Sequence, residues 1–351
     1  GVSIDDLAET GRLFGAAGLP SAPLTSTGRL RFRDGALTLE DSLTRLRGLE
    51  LVASGLIGRP GHLPDLNLDV RMSGPSVEKL FDDAVPNGDQ SVPFTLVAQA
   101  RGLENGIDLR SFKLETAGGT FNAAGILSFA PGGVGSKFSL EGQGEKLSAV
   151  IPAFPSYRPP DEPWHLKADV DLEQADHFQV SNARIEIGSV TMEMDGTLDA
   201  VDQSQTSLTF AASGDRISDI GQIGDVLWPE YPFDIKTELE RTQNTLLFRS
   251  LTASWGDSDV TGEGKVILGE RPFVEIRGRS EILDIYDLQH ALFGEQVDEE
   301  PADDRKKIFP DTPIPMQFFA DYEAVVNVEV EHFRGRNARL EDVKLELDVE
   351  D

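Results

Sequence analysis

The sequence predicts a mainly β protein, in which an elongated and repetitive antiparallel sheet curls into a U-shaped groove. Three observations predict this fold class. Apolar and polar residues alternate with period two over most of the chain, which is typical of strands with one buried and one wet face. Short patterns recur in fixed order about every 70 residues, which is the signature of a repeat protein. The 351-residue chain has 39% hydrophobic residues, a globular rather than a disordered composition.

Each repeat opens with a short helical pattern. In the second repeat the pattern consists of Val77, Leu80, Phe81 and Ala84. These positions follow the i, i+3, i+4, i+7 spacing of one helix face, and Ser76 before them is a candidate N-cap. The counterparts in the other repeats begin near Ile4, Leu147, Ile217 and Leu283. We therefore expect one short helix per repeat.

Two further markers share this period. A proline followed by an apolar residue opens an alternating segment at Pro23-Leu24, Pro93-Phe94, Pro163-Trp164, Pro232-Phe233 and Pro315-Met316. A glycine recurs inside a later apolar alternation at Gly55, Gly125, Gly196 and Gly264. Because the two independent markers recur with the same spacing, the sequence predicts true repeats of one unit rather than a chance recurrence of single residues.

The segments between these markers predict about four meandering strands per repeat. In PWHLKADVDL, for example, Trp164, Leu166 and Ala168 lie on one side of a strand and His165 and Lys167 on the other. Asp-Gly and Asn-Gly dipeptides separate the alternating runs, as expected for hairpin turns. The predicted organisation is one continuous elongated domain of five repeats: residues 1–75, 76–146, 147–216, 217–282 and 283–351, the last one truncated.

The predicted helices are too small to cover the apolar face of such a sheet. Four strands of about eight residues present a face on the order of 500 Å², whereas a helix of about ten residues covers about 150 Å². Three arrangements would remove the remaining apolar area from water: a sandwich packed on itself, a dimer, or a gutter that binds apolar ligands. The repeat favours the gutter, because a closed sandwich has no reason to repeat one unit, whereas an elongated body that grows by stacking does.

Composition excludes several classes of function. The chain has 32 basic and 61 acidic residues and a net charge of −29, which argues against nucleic acid as a partner. It has no cysteine, so disulfides, thiolate metal sites and a cysteine nucleophile are excluded. No zinc-protease, serine-hydrolase or phosphate-loop motif is present, and the histidines are scattered over different repeats. We therefore expect a non-enzymatic protein without a metal or a cofactor, apart from a bound phospholipid or fatty acid.

The chain carries no apolar run of about 18 residues, so the sequence predicts no transmembrane helix and a soluble segment. It begins without methionine and stops at LELDVED, inside a predicted strand. We therefore interpret it as an excerpt of a longer protein.

The C-terminal region carries the most specific pattern. The element FPDTPIP, residues 309–315, precedes the two long alternating strands of DYEAVVNVEVEHFRGRNARLEDVKLELDVED. This arrangement resembles the C-terminal repeat region of AsmA-like proteins, and the repeats over most of residues 1–351 are similar to TamB-related and other bridge-like lipid transfer proteins. The resemblance implies a periplasmic location in diderm bacteria and an inner-membrane anchor supplied by an N-terminal segment that this sequence lacks. It also implies phospholipid movement toward the outer membrane, with an outer-membrane partner left undefined.

The hypothesis from the sequence is a lipid-binding and lipid-transfer segment of the cell envelope. Its hydrophobic groove would hold phospholipid acyl chains between the inner and outer membranes, and no residue is assigned a catalytic or metal-binding role. The predicted groove-lining residues are Phe94, Leu96, Phe138, Leu140, Trp164, Leu166, Val170, Val190, Met192, Met194, Leu208, Phe210, Phe233, Ile235, Val266, Leu268, Phe318, Val326 and Val328.

The alternative hypothesis is a scaffold or chaperone that assists outer-membrane protein assembly by adding client strands to its exposed strand edges. Prolines at predicted strand starts and charged rims protect such edges, which disfavours this alternative.

Overall fold

In a computed structural model, the chain is described at residues 1–6, 22–46, 48–59, 63–75, 92–151, 157–199, 206–223, 231–269, 271–284, 323–335 and 339–349. The chain forms two compact units. The first unit comprises Gly1–Pro152 with Lys167–Ala175, and the second comprises Ala153–Leu166 with Asp176–Asp351.

The first unit is an antiparallel ladder of strands that follow one another in sequence. Its strands are β1 (Val2–Ile4), β2 (Leu24–Arg33), β3 (Ala36–Leu46), β4 (Leu49–Gly58), β5 (Asn67–Gly74), β6 (Phe94–Leu103), β7 (Gly106–Thr116), β8 (Gly119–Ser128) and β9 (Ser136–Gly144). Each of them pairs with the next one along the chain. Tight turns such as Asp34-Gly35, where both residues have positive φ, connect the strands, as the dipeptides predict.

The second unit is built in the same way. Its strands are β10 (Tyr157–Arg158), β12 (His177–Ile187), β13 (Val190–Asp199), β14 (Thr206–Gly214), β15 (Gln222–Ile223), β16 (Phe233–Thr242), β17 (Thr245–Trp255), β18 (Ser258–Ile267), β19 (Phe273–Asp284), β20 (Glu323–Arg334) and β21 (Arg339–Val349). β11 (Trp164–Gln174) contributes its first three residues to this unit and the others to the first unit. The mainly β, antiparallel fold class is therefore confirmed.

Two pairs depart from the meander. β10 and β15 pair with each other, antiparallel, in a separate two-stranded sheet. β19 and β20 run parallel, with Phe273 opposite Glu323 and Asp284 opposite Arg334. Parallel neighbours need a crossover of a dozen or more residues, and residues 285–322 between these strands supply that length. The same residues account for the longer proline spacing of the fifth predicted repeat.

A β-bulge recurs at the same register in four strand pairs. The register shifts begin at Leu39, Leu109, Val180 and Phe248, with spacings that match those of the glycine marker. In each case the residue paired with the start of the bulge is one of the predicted glycines, from Gly55 opposite Leu39 to Gly264 opposite Phe248. Because a bulge bends its strand and increases the local twist, four bulges at one register curve these sheets at the same row.

The predicted helices are only partly within the described residues. The segment around Val77 lies outside them. Leu147 and Ile217 begin short 3-10 turns, Leu147–Ala149 and Ile217–Ile220, rather than longer helices. Ile4 and Leu283 lie at the ends of strands β1 and β19. Among the residues that the structure describes, we find no helix that could span a lipid bilayer.

Four long strands begin within each of the first four predicted repeats: β2–β5, β6–β9, β11–β14 and β16–β19, the last of which ends at Asp284, two residues past the predicted boundary. The boundaries of the five repeats remain a prediction, because the compact units follow spatial contacts rather than sequence periods.

Candidate functional site

The register of the second unit places apolar residues on a single side of its sheet. Side chains that are directly opposite in neighbouring strands lie on the same face. One such row runs through Met192, Ala212, Ile235, Ala253 and Val260, across five consecutive long strands. We call this side the apolar face. It continues through β19 to β21, where Ile276, Val326 and Leu347 are paired in turn.

The first unit has an equivalent face. Its central row runs through Val70, Ala98, Phe112, Ala123 and Leu140, from β5 to β9. No charged residue interrupts this row. The alternation of the sequence therefore becomes a continuous apolar surface in each unit, because the strand pairing keeps equivalent positions in register.

The opposite side of each sheet is charged. In the second unit, Glu275 accepts a hydrogen bond from Lys265, with the two charged atoms 2.5 Å apart, and forms an ion pair with Arg277 at 2.6 Å. The hydrogen bond from Lys265, helped by the charge of Arg277, lowers the pKa of the Glu275 carboxyl despite its partial desolvation. These charged groups keep this part of the outer side in contact with water.

Part of the apolar face in the second unit is packed. Val190, Ala212 and Phe233 are buried together, and Ile217 and Ile220 of the 3-10 turn pack against them. A second cluster consists of Leu283, Val330 and Phe333. Trp255 contacts both clusters. We call the residues of these two clusters the packed end.

A buried carboxylate holds the 3-10 turn at the packed end. Asp219 accepts a hydrogen bond from the Ser189 backbone N–H at 2.9 Å and forms an ion pair with Arg216 at 2.9 Å. Burial works against its charge, but the hydrogen bonds from Ser189 and the proximity of Arg216 outweigh it and lower the pKa of Asp219. The turn that covers Val190 and Phe233 is thus tied to the hairpin between β12 and β13.

Away from the packed end, much of the apolar face is half-buried, although some of its residues, such as Val180, Ala183 and Leu208, are buried. Phe248, Val266 and Val326 have intermediate exposure, and Leu347 is 42% exposed. In the first unit, Leu140 on the same kind of row is 36% exposed. The described residues therefore form a surface that is buried in places and half-buried over much of the rest.

Most of the predicted lining residues lie on the apolar face of the described strands. In the first unit, Phe94, Leu96, Phe138 and Leu140 share the apolar face. Along β11, Trp164, Leu166 and Val170 alternate with polar residues. On the apolar face of the second unit lie Val190, Met192, Met194, Leu208, Phe210, Phe233, Ile235, Val266, Val326 and Val328.

Several of these residues contribute to packing as well as to the open surface. Val190 and Phe233 are cluster members, and Met192, Phe210 and Ile235 pack against them. Val328 packs against the second cluster. Leu268 follows the end of β18, where its N–H donates to the Asn244 carbonyl at 2.7 Å, and Phe318 lies outside the described residues.

Other apolar-face residues were not predicted. Examples are Phe112, Phe121, Phe248, Val274 and Ile276. The alternation of FVEIRG contains the signal for Val274 and Ile276. For Phe112 and Phe248 the bulges interrupt the alternation, so a strict period of two assigns the two halves of their strands to opposite faces.

Comparison of the chain with protein-family models, curated proteins and solved structures finds no match. The resemblance to AsmA-like proteins therefore remains a prediction from the sequence.

Proposed function

We propose that the chain is a non-enzymatic lipid-binding segment that holds the acyl chains of phospholipids or fatty acids along its apolar face. One observation carries this proposal: apolar side chains stay in register over consecutive strands, yet many of them, such as Phe248, Val266 and Leu347, are only half-buried or exposed. A surface of this kind suits a ligand that is long and apolar and that needs few polar contacts.

The energetics favour acyl chains over water on this surface. Each methylene removed from water contributes about 0.8 kcal/mol, and several rows of the face are available in each unit. Contiguous exposed apolar areas of more than a few hundred Å² mark interaction sites in soluble proteins. The charged headgroups would remain at the rim, because an unpaired charge in apolar surroundings is costly.

The experiment compares lipid content and lipid affinity in two neighbouring variants. Val266 lies on the apolar face opposite Val274, and Ile267 lies on the other side of the same strand opposite Phe273. In Val266→Asp, a carboxylate facing the alkyl chains should lower the affinity for a fluorescent fatty acid by about tenfold or more. Ile267→Asp is the matched control and should bind like the wild type.

The wild-type protein, purified under native conditions and extracted for mass spectrometry, should carry phospholipid or fatty acid. The proposal fails if the wild type carries no lipid and does not bind the fluorescent fatty acid. It also fails if Val266→Asp and Ile267→Asp, both folded by circular dichroism, bind the fatty acid equally well.

The proposed context is the periplasm, with an inner-membrane anchor in the full-length protein and transfer toward the outer membrane. This part rests on the resemblance of the 309–315 element and of the repeats alone. Fractionation of cells that express the full-length protein would test it, because a cytoplasmic location contradicts both the anchor and the transfer.

The alternative function is a scaffold for outer-membrane protein assembly. One observation favours it: the segment Gly28–Arg33 of β2 has no partner strand on one side among the described residues. A deletion strain in which lipid distribution is normal but outer-membrane proteins fail to assemble would favour the scaffold over lipid transfer.

A further inference from the structure

Two buried polar groups of the second unit have no hydrogen-bond partner among the residues that the structure describes. One is the hydroxyl of Ser280, a residue that is only 2% exposed, and the other is the indole N–H of Trp255. Buried polar groups nearly always have a partner, because burying one without a hydrogen bond is costly. Two such groups in one part of the molecule therefore require an explanation.

Both groups border the same apolar cluster. Ser280 on β19 is paired with Val330 of β20, so the two side chains lie on the same side of the sheet. Val330 belongs to a cluster of the packed end, and Trp255 packs against that cluster. Val328, two residues before Val330, is half-buried and also packs against it. Ser280 therefore lies where the packed end meets the half-buried part of the apolar face.

The surroundings restrict the kind of group that could bind here. The described side chains that form this cluster or pack against it are all apolar. The Ser280 hydroxyl and the Trp255 N–H are both uncharged donors. An anion at this place would lose its hydration without gaining a cation as a partner, which is costly. An uncharged oxygen acceptor that is joined to an alkyl chain fits both the donors and the cluster. The carbonyl of an acyl ester is such a group, whereas the carboxylate of a free fatty acid is not.

We infer that Ser280 and Trp255 form a recognition site for the ester carbonyl of an acyl chain that lies along the apolar face. In the lipid-bound protein each of them donates a hydrogen bond to the ester, and the alkyl chain continues over half-buried residues such as Val326. Because both donors are buried, the ester reaches them by displacing the half-buried Val328 and Leu345 side chains from the cluster. This inference rests on the proposed function and adds to it a preference for ester-linked chains.

A comparison of ester and ether lipids tests the site. Two short-chain phosphatidylcholines with chains of equal length, one ester-linked and one ether-linked, compete with the fluorescent fatty acid for the protein. The two lipids have the same headgroup, but the ether lipid lacks the carbonyl oxygens. The wild type should bind the ester lipid at least about threefold more tightly, as expected for one or more additional hydrogen bonds.

Ser280→Ala should lower the affinity for the ester lipid by about three- to tenfold and leave the affinity for the ether lipid unchanged. Trp255→Phe keeps an aromatic ring for packing and should also reduce the preference for the ester lipid. The matched control is Ser254→Ala, which removes a hydroxyl from the exposed side of β17 next to Trp255 and should keep the preference. Circular dichroism checks that every variant is folded.

The stability of the lipid-free protein gives a second measurement. A buried hydroxyl without a partner weakens the fold, so lipid-free Ser280→Ala should melt at the same temperature as the wild type or slightly higher. A hydroxyl that is bonded within the chain would instead make Ser280→Ala melt at a lower temperature. That result would overturn the inference, because the hydroxyl would then have a structural role.

The inference is also overturned if the wild type binds the two lipids equally well, or if Ser280→Ala keeps the preference for the ester lipid. Equal binding of the two lipids contradicts the recognition site and leaves the proposed function standing. Failure of the wild type to bind either lipid or the fluorescent fatty acid contradicts both.

Discussion

At the scale of single residues, Asp219 connects the chemistry of one side chain to the shape of the apolar face. Its carboxylate is buried and joins the 3-10 turn to the backbone N–H of Ser189, 30 residues earlier in the chain. The 3-10 turn held in this way places Ile217 and Ile220 over the packed end. No pattern in ISDI indicates this role, because the partner is fixed by strand pairing and not by local spacing.

Asp219→Asn should lower the free energy of unfolding at pH 7 by about 1–3 kcal/mol, the cost of weakening a buried charge-assisted hydrogen bond. The folded-state pKa of Asp219 lies below its ordinary value of 3.8. The carboxylate therefore stabilises the fold fully above about pH 4, and this contribution is lost as the pH falls through the folded pKa. Urea unfolding at several pH values measures the difference between wild type and variant.

The difference in the free energy of unfolding between wild type and Asp219→Asn should therefore decrease only in acid, below the ordinary aspartate pKa of 3.8. Asp215→Asn, an exposed carboxylate two residues before the turn, is the control and should change stability little at any pH. A gap that stays constant down to pH 2–3 would contradict the role of the ionised carboxylate.

At the scale of elements, the recurring bulge explains why glycine recurs. Gly196 has φ of 139°, and a Cβ there would lie 2.1 Å from the Ser207 carbonyl oxygen on the next strand. Gly55 and Gly125 make the same close approach. Gly264 has the equivalent register, but a Cβ there would lie 3.6 Å from its nearest neighbour, the Glu275 carbonyl oxygen, which is an ordinary contact. In this repeat Gly262 makes the close approach instead.

Gly196→Ala should therefore destabilise the protein by about 1–3 kcal/mol, because the backbone conformation is strained for alanine and the partner strand must move. Gly264→Ala should be neutral or slightly stabilising, since it restricts the unfolded chain without a clash. Thermal unfolding of the two variants is the measurement. Equal losses of stability would contradict the structural difference between these two members of the repeat.

The period of the glycines could be predicted from the sequence, and so could the face of most strand residues, because both depend on local spacing. Which glycine of the fourth repeat approaches its neighbour could not, since that depends on the register of β19 against β18. The parallel pairing of β20 has the same origin: alternation determines the faces of a strand but not its direction or its neighbour. The packing at the packed end could not be predicted either, because it is formed by side chains from several strands and a short turn.

At the scale of the whole molecule, the chain has two compact units, each with its own apolar face. In repeat proteins stability is approximately a sum of local terms and neighbour contacts, and chains with several units often unfold in more than one step. The three tryptophans, Trp164, Trp228 and Trp255, all have numbers within the second unit. Their fluorescence therefore reports on that unit, whereas far-ultraviolet circular dichroism reports on both.

Gly125 and Gly196 make a matched pair for testing this division, because both have a positive φ and an equally close carbonyl, 2.0 Å from the Cβ position in Gly125. Gly125 belongs to the first unit and Gly196 to the second. In urea titrations, Gly125→Ala should shift the dichroism curve and leave the fluorescence midpoint in place, whereas Gly196→Ala should shift both. If the two variants move the fluorescence midpoint equally, the units unfold as one cooperative body. The stability of the apolar face would then depend on the whole chain rather than on each unit separately.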